Sequence, residues 1–186
     1  MSRRAAFIDR DGVLNEERAF VHRIEDFALV PGAVEALLAL QAAGYLLVVV
    51  TNQSGIARGL YSEADYLEFM AQVRERLQAV GVRLDAVEYC PHLADAPVER
   101  YRVACDCRKP KPGMLNRAIR ALDIDPAASF LVGDRLSDIE AGRAAGVGRC
   151  FLVRTGYPLS ARALAQADAV YDHLLACVSS VLSQAA

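Results

Sequence analysis

Ala5-Ala6-Phe7-Ile8-Asp9-Arg10-Asp11-Gly12-Val13-Leu14-Asn15 is the stretch that decides how this chain is read. Ala5 to Ile8 is a short apolar run, the pattern of a buried strand. It leads directly into two carboxylates, Asp9 and Asp11, and then a glycine. In an open α/β sheet, ligands bind beyond the carboxyl ends of the strands, so Asp9 and Asp11 are expected at the mouth of a site. Side chains alternate faces along a strand. Both carboxylates converge only if the chain begins to curl at Arg10, and Gly12 eases that curl. A pair placed this way suits a hard cation such as Mg²⁺, with one oxygen left for nucleophilic attack. Taken alone, the stretch reads equally well as a turn, because Asp and Gly are the usual residues after a strand.

The chain beyond it repeats the pattern. Residues 16–30 are mixed and charged with no clean period, which suggests a flap over the site. Pro31-Gly32 opens a helix that Gly44 closes. Leu46 to Val50 is an aliphatic run, a strand buried on both faces, ending in Thr51-Asn52-Gln53-Ser54-Gly55. Ser62 and Asp65 form a capping box for a helix to about Val80. Further strands are expected at residues 85–89, 129–132, 149–153 and 169–171, with helices from Pro112-Gly113, over 137–145 and over 173–183. Strands alternating with helices specify an α/β fold, a three-layer α/β/α sandwich on a mostly parallel Rossmann-like sheet. Polar residues gather at the carboxyl ends of the strands: Asp9 and Asp11, Thr51 and Asn52, Gly133 and Asp134. Loops at that edge converge on one crevice, where scattered polar residues would not all fall.

Bulk properties bound the function. With 186 residues, 54% hydrophobic and 24% charged, one domain over residues 1–186 with a full core is expected. A formal net charge of −2 gives no case for nucleic acid or for an acidic membrane. The basic start, Met1 to Arg4, is followed at once by Asp9 and Asp11 and so reads as no secretory signal. No stretch reaches the ~18 to 20 apolar residues of a membrane span, and a cytoplasmic protein is expected.

The five cysteines are Cys90, Cys105, Cys107, Cys150 and Cys177. An odd count argues against a disulfide framework. Cys90, His92, Cys105 and Cys107 fall in one irregular segment, residues 90–110, and make a Cys₃His set that suits structural Zn²⁺. A loop without an apolar core needs such a staple, and this one leads straight into Arg108 and Lys109. Cys150 and Cys177 are expected as buried thiols.

These motifs together resemble the haloacid dehalogenase superfamily of phosphatases. Asp9-Arg10-Asp11-Gly12-Val13-Leu14-Asn15 resembles its first motif, Thr51-Asn52 its second, Lys109 its third and Gly133-Asp134-Arg135-Leu136-Ser137-Asp138 its fourth. The resemblance implies Asp9 as nucleophile, Asp11 as acid and base, and Thr51 and Lys109 as phosphoryl ligands. It implies Mg²⁺ held by Asp9, Asp134 and the backbone carbonyl of Asp11. Each role is chemically apt: a carboxylate attacking a phosphate dianion needs a bridging cation, and the departing alkoxide needs a proton. Lys111 is an adjacent competitor for the role of Lys109. Asp138 reads either as an indirect metal ligand or as a first-turn residue favoured by the helix dipole.

Thr51 to Gly59 and Cys107 to Met114, with the zinc loop, resemble the branch that holds heptose-bisphosphate and histidinol-phosphate phosphatases. That implies a small sugar bisphosphate as substrate, removal of its C7 phosphate and a role in lipopolysaccharide core synthesis, with histidinol phosphate as the alternative. Asn15, Asn52, Gln53, Ser54, Arg108, Lys109 and Arg135 are then expected at the substrate, with Arg58 also in reach. Arg108, whose planar fork matches phosphate, is the choice for the distal group. A monomer is expected, with no large cap and only short loops over the site, at residues 16–30, 53–61 and 90–110. A catalytically silent zinc-bearing binding module would have no need for the full set of motifs.

Overall fold

The computed structural model describes residues 3–184; Met1 and Ser2, which open the basic N-terminal stretch, lie outside them. The strands are β1 (Ala5–Ile8), β2 (Leu46–Asn52), β3 (Ala86–Cys90), β4 (Phe130–Gly133), β5 (Arg149–Val153) and β6 (Ala169–Tyr171). The helices are α1 (Ala33–Ala42), α2 (Ser54–Ala57), α3 (Glu63–Ala79), α4 (Gly113–Leu122), α5 (Leu136–Ala144), α6 (Ala161–Gln166) and α7 (Leu174–Ser183). All six strands pair in parallel in one sheet, in the order β3-β2-β1-β4-β5-β6.

Period-two alternation sorts the sheet's side chains into two layers. Ala6 and Ile8 of β1, Leu47 and Val49 of β2, and Phe130 and Val132 of β4 share one apolar cluster with Leu37 and Leu40 of α1, Phe69 and Val73 of α3, and Val178 of α7. Ala5 and Phe7, Val48 and Val50, and Leu131 point the other way, onto Met114 and Leu115 of α4, Ile139 of α5 and Ala163 of α6. All four residues of β1 are buried. Removing an aromatic from such a core costs about 3–5 kcal/mol, so the strand that carries Asp9 is held from both faces.

β1 lies between β2 and β4. From β1 the sheet grows outward to β2 and β3, then restarts on the other side of β1 with β4. That reversal is the topological switch point, where open α/β sheets bind their ligands. The residues after β1 and β4 are Asp9 and Asp134. The fold therefore puts these carboxylates side by side, although they are far apart in the chain.

Local chemistry fixes the elements. The capping box at α3 is present: Asp65 N–H donates to Ser62 Oγ (3.1 Å) and Ser62 N–H to Asp65 Oδ2 (2.8 Å). β2 runs past Val50 to Asn52, because β3 pairs with it as far as Thr51↔Tyr89 and Asn52↔Cys90. The polar character of Thr51 and Asn52 had suggested an earlier end. The short helices α2 and α6 were also unforeseen; α6 is capped by Ser160 Oγ, which accepts from Ala163 N–H at 3.1 Å.

Residues 16–30 contain no helix or strand. They form a loop closed at its base, where Glu16 N–H donates to Ala28 C=O (2.9 Å) and Val30 N–H to Leu14 C=O (3.0 Å). At its tip Ala19 and Phe20 take left-handed φ values of 52° and 58°. Among the described residues no second sheet or helical layer covers the carboxyl edge.

Candidate active site

A buried charge cluster forms the floor of the site. Asp9 is tied to β4 by its backbone N–H, which donates to Val132 C=O at 3.0 Å. Lys109 Nζ reaches Asp9 Oδ1 at 2.9 Å and Asp138 Oδ1 at 2.5 Å, and donates to Val50 C=O at 2.9 Å. Burial opposes the Lys109 charge, but Asp138 and Asp9 outweigh it and hold its pKa above the ordinary value. Lys111, the adjacent competitor, is exposed and donates to Cys105 C=O at 2.9 Å. Geometry thus separates the two lysines where sequence did not.

Asp9, Asp134 and Asp138 bring carboxylate oxygens within 4.8 Å of one another. Burial raises the Asp9 pKa well above the carboxylate range; Lys109 works against that, and Asp138 and Asp134 add to it. Burial, with Asp138 beside it, pushes Asp134 up to about 6. Asp134 Oδ2 accepts the Tyr157 N–H at 3.0 Å. Its Oδ1 is buried with no hydrogen-bond partner among the described residues, and the nearest paired cation, Arg135 Nε, stands 3.9 Å away. Three buried carboxylates against one ammonium leave two negative charges unbalanced. An all-oxygen donor set with that excess charge fits a divalent hard cation such as Mg²⁺. The carboxylates gathered here are Asp9, Asp134 and Asp138, and the Asp11 carboxylate stands outside the group. Asp138 also caps α5, its Oδ2 accepting Arg135 N–H at 3.0 Å, so one residue both holds Lys109 and starts the helix.

The Asp11 carboxylate is held by Arg10, Asn15 and Gln53. Asn15 Nδ2 donates to Oδ1 at 3.1 Å and Gln53 Nε2 to Oδ2 at 3.1 Å. Gln53 also donates to Thr51 Oγ1 (2.8 Å), and its Oε1 accepts from Tyr61 O–H (2.7 Å). Asn15 and Gln53, expected at the substrate, are 0% and 2% exposed and sit behind Asp11, outside the lining of the cavity. Asn52 lines it and clamps Lys109: its Nδ2 donates to Lys109 C=O and its Oδ1 accepts Lys109 N–H, both at 3.1 Å.

The cavity is about 400 Å³. Buried Asp9, Thr51 and Lys109 and half-buried Asp11 and Ser54 line it, and the longer Arg58, Arg108 and Arg135, exposed or half-buried, form its rim. Glu17, Ala19 and Phe20 bring the flap to the same opening. Arg135 stacks on Tyr157, its guanidinium carbon 3.6 Å from the ring centroid. Three arginines around one opening are a fit for an anionic ligand.

Beside the cavity, Cys90, His92, Cys105 and Cys107 converge. Cys90 Sγ lies 3.5 Å from Cys105 Sγ and 3.1 Å from Cys107 Sγ, and His92 Nδ1 lies 3.4 Å from Cys107 Sγ. A tetrahedral zinc site with Zn–S of about 2.3 Å has donor–donor edges near 3.8 Å, so the donor set and its spacing fit Zn²⁺. Arg108 Nη1 donates to His92 C=O at 3.3 Å, which ties the rim to this cluster. Cys150 and Cys177 are buried thiols, as expected.

Two features escaped the sequence. Arg10 read only as the place where the chain curls, yet its buried guanidinium grips Asp11. The loop after β5 went unmarked, though Thr155-Gly156 falls at the carboxyl end of a strand like the other motifs. Thr155 Oγ1 donates to Gly12 C=O at 2.6 Å, and Tyr157 holds Asp134. Gly12 has φ +82°, and a Cβ there would meet Asp134 Oδ2 at 2.7 Å; a Cβ on Gly156 would meet the same oxygen at 2.0 Å. The strand-end pattern was the signal that could have found this loop.

Comparison with known proteins accords with this geometry. A profile of the HAD-hydrolase-like family matches residues 106–177. A D-glycero-beta-D-manno-heptose-1,7-bisphosphate 7-phosphatase of Photorhabdus laumondii is 46% identical over 170 residues, 91% of this chain and 90% of that protein. One of Pasteurella multocida is 47% identical over 172 residues, 92% and 93% of the two chains. Among solved structures, the D,D-heptose 1,7-bisphosphate phosphatase of B. bronchiseptica, crystallised with magnesium and phosphate, superposes with a TM-score of 0.83. It is 34% identical, over 97% of this chain and 99% of that one.

Proposed function

Because this chain belongs to the HAD-like hydrolases, and within them to the heptose-1,7-bisphosphate 7-phosphatases, we propose that it removes the C7 phosphate of D-glycero-β-D-manno-heptose 1,7-bisphosphate. It is a phosphoric monoester hydrolase. The product, heptose 1-phosphate, would feed nucleotide-activated heptose for the lipopolysaccharide core. The observation that carries the reading is the buried cluster of Asp9, Lys109, Asp138 and Asp134 on the floor of an arginine-rimmed cavity.

In this reading Asp9 attacks phosphorus and becomes an aspartyl phosphate, while the C7–oxygen leaves with a proton from Asp11. Asp11 then takes a proton from water, which attacks the aspartyl phosphate and releases inorganic phosphate. Lys109 and Thr51 bind phosphoryl oxygens as charge moves during transfer. Mg²⁺, held by Asp9, Asp134 and the Asp11 carbonyl, would neutralise charge between nucleophile and phosphate dianion. Asp138 serves by holding Lys109, and Asn52 by holding its backbone. Arg108, Arg58 and Arg135 bind the distal phosphate and sugar hydroxyls. Asn15 and Gln53 act through Asp11. Cys90, His92, Cys105 and Cys107 would hold Zn²⁺, which would keep residues 90–110 in shape. All these groups come from one chain, which supports a monomer and a single catalytic domain. The unpaired thiols support a reducing, cytoplasmic setting. Among the described residues no helix is long and apolar enough to cross a membrane.

The test is phosphate release with Mg²⁺ from both anomers of the heptose bisphosphate and from histidinol phosphate. The expected result is the highest kcat/KM on the β anomer. A higher value on histidinol phosphate overturns the substrate, and no release from any of them overturns the activity.

A further inference from the structure

Arg10 is the largest fully buried side chain among the described residues, at 0% exposure. A buried guanidinium costs several kcal/mol of desolvation unless it is paired and fully hydrogen-bonded. Arg10 meets most of that cost within the site, its Nη1 alone finding only Met70 Sδ, at 3.8 Å. Its Nη2 lies 2.8 Å from each Asp11 carboxylate oxygen, and its Nε lies 3.1 and 3.2 Å from the same two atoms. Nη2 also donates to Val21 C=O of the flap at 2.7 Å. The guanidinium lies 5.1 Å from the Phe69 ring centroid and 5.8 Å from that of Tyr66, on α3. Its own backbone is fixed as well: the Arg10 carbonyl accepts the amides of Val13, Leu14 and Asn15. The guanidinium therefore has little freedom, and both oxygens of Asp11 are referred to it.

We infer that Arg10 is a positioning residue: its fork sets the orientation of the Asp11 carboxylate from which the leaving alcohol takes its proton. This rests on the reading of Asp11 as acid and base given above. The alternative is an ion pair that merely holds the loop together. The two differ in what they do to leaving groups. An alkoxide leaving a sugar carbon needs a proton in the transition state, and a misplacement of about 1 Å can cost ~10²-fold in rate. A nitrophenolate leaves without one. kcat/KM reports the steps up to loss of the leaving group and so isolates the acid role from the later water step.

The experiment uses Arg10→Lys, which keeps the buried charge but loses the fork. With saturating Mg²⁺, kcat/KM on the sugar phosphate should fall about 10²-fold, within the range for general acid catalysis. On p-nitrophenyl phosphate it should fall less than ~3-fold, since no proton transfer is at stake. Equal losses on both esters overturn the inference. A second pair of proteins decides the matter if the single variant does not fold. Arg10→Gln combined with Asp11→Asn removes both charges together and leaves no buried ion unpaired. If Arg10 acts through Asp11, the double variant should stay within ~2-fold of Asp11→Asn on the sugar phosphate, because the two effects are not additive. A further loss of ~10-fold or more overturns it. Should the wild-type protein hydrolyse nitrophenyl phosphate and no sugar phosphate, the reading of the substrate fails, and the Arg10 comparison is made on a simple alkyl phosphate, whose leaving alkoxide also needs the proton.

Discussion

Asp9 is buried beside two other carboxylates and one lysine, and its raised pKa means that its ionised form is held at a cost in the metal-free protein. The sign follows from linkage. A carboxyl whose folded pKa lies above its unfolded value loses stability as pH rises through that interval. At neutral pH, Asp9→Asn therefore relieves the cluster although it weakens the contact with Lys109. The variant is expected to lose turnover altogether and to melt higher than wild type in EDTA, by ~2–4 °C for each kcal/mol relieved. Thermal melts of both proteins check this, and an unchanged or lower midpoint would sink it. The same trade explains why Asp9 was legible and Arg10 was not. A carboxylate after a strand stands out in sequence because it has a job that polarity advertises. A buried arginine is unexpected from composition, since Arg is mostly exposed, and its partner Asp11 is a neighbour in the chain with no pattern to mark the pairing.

At the scale of elements, the loop after β5 acts on the metal site without offering it a ligand. Tyr157 N–H takes one oxygen of Asp134 and leaves the other without a partner. Gly156 must stay bare, because a Cβ would press on that carboxylate. Gly156→Ala is expected to weaken Mg²⁺ activation 10–100-fold, the usual cost of disturbing the groups that orient a metal ligand. Gly44→Ala serves as the control: it strains the backbone at φ +81°, but its Cβ would meet nothing. Titrating activity against Mg²⁺ for the two variants gives the comparison. The loop of residues 90–110 invites a separate test. Cys105→Ser should lower zinc content from about one per chain, measured by elemental analysis, and cut kcat at least ~10-fold. The far-UV spectrum should hardly change, since the sheet is packed by its own helices. Sequence marked this cluster well because cysteine and histidine are rare and their spacing survives folding. It missed the small helices α2 and α6, where a few residues carry too little periodicity to register.

At the scale of the whole molecule, a net charge of −2 hides a strong local field. Negative charge concentrates below the cavity and arginines stand above it, so a divalent cation and an anionic ester are drawn to adjacent places. Mg²⁺ binding should therefore stabilise the fold as a whole, by about 2.7 kcal/mol at a hundredfold excess over Kd. That gain should fade as pH falls through about 6, where Asp134 takes up a proton, at up to ~tenfold in affinity per pH unit. Melting temperatures with and without Mg²⁺ at pH 5, 6 and 7.5 measure both effects, and a shift independent of pH would contradict them. The overall architecture was readable because strand–helix alternation and polar strand ends are patterns that chain order preserves. The place of β4 beside β1 decides which loops meet, and it follows from the sheet order rather than from any residue near Asp9.

The close approach of Gly12 and Gly156 to Asp134 has a consequence for descent. The floor is a set of buried charges with bare main chain pressed against one of them, so substitution has almost nothing to vary there without losing the reaction. The rim is built of long side chains on loops, which drift cheaply. Lineages branching from this sequence should then inherit the chemistry intact and change diet through Arg58, Arg108 and Arg135.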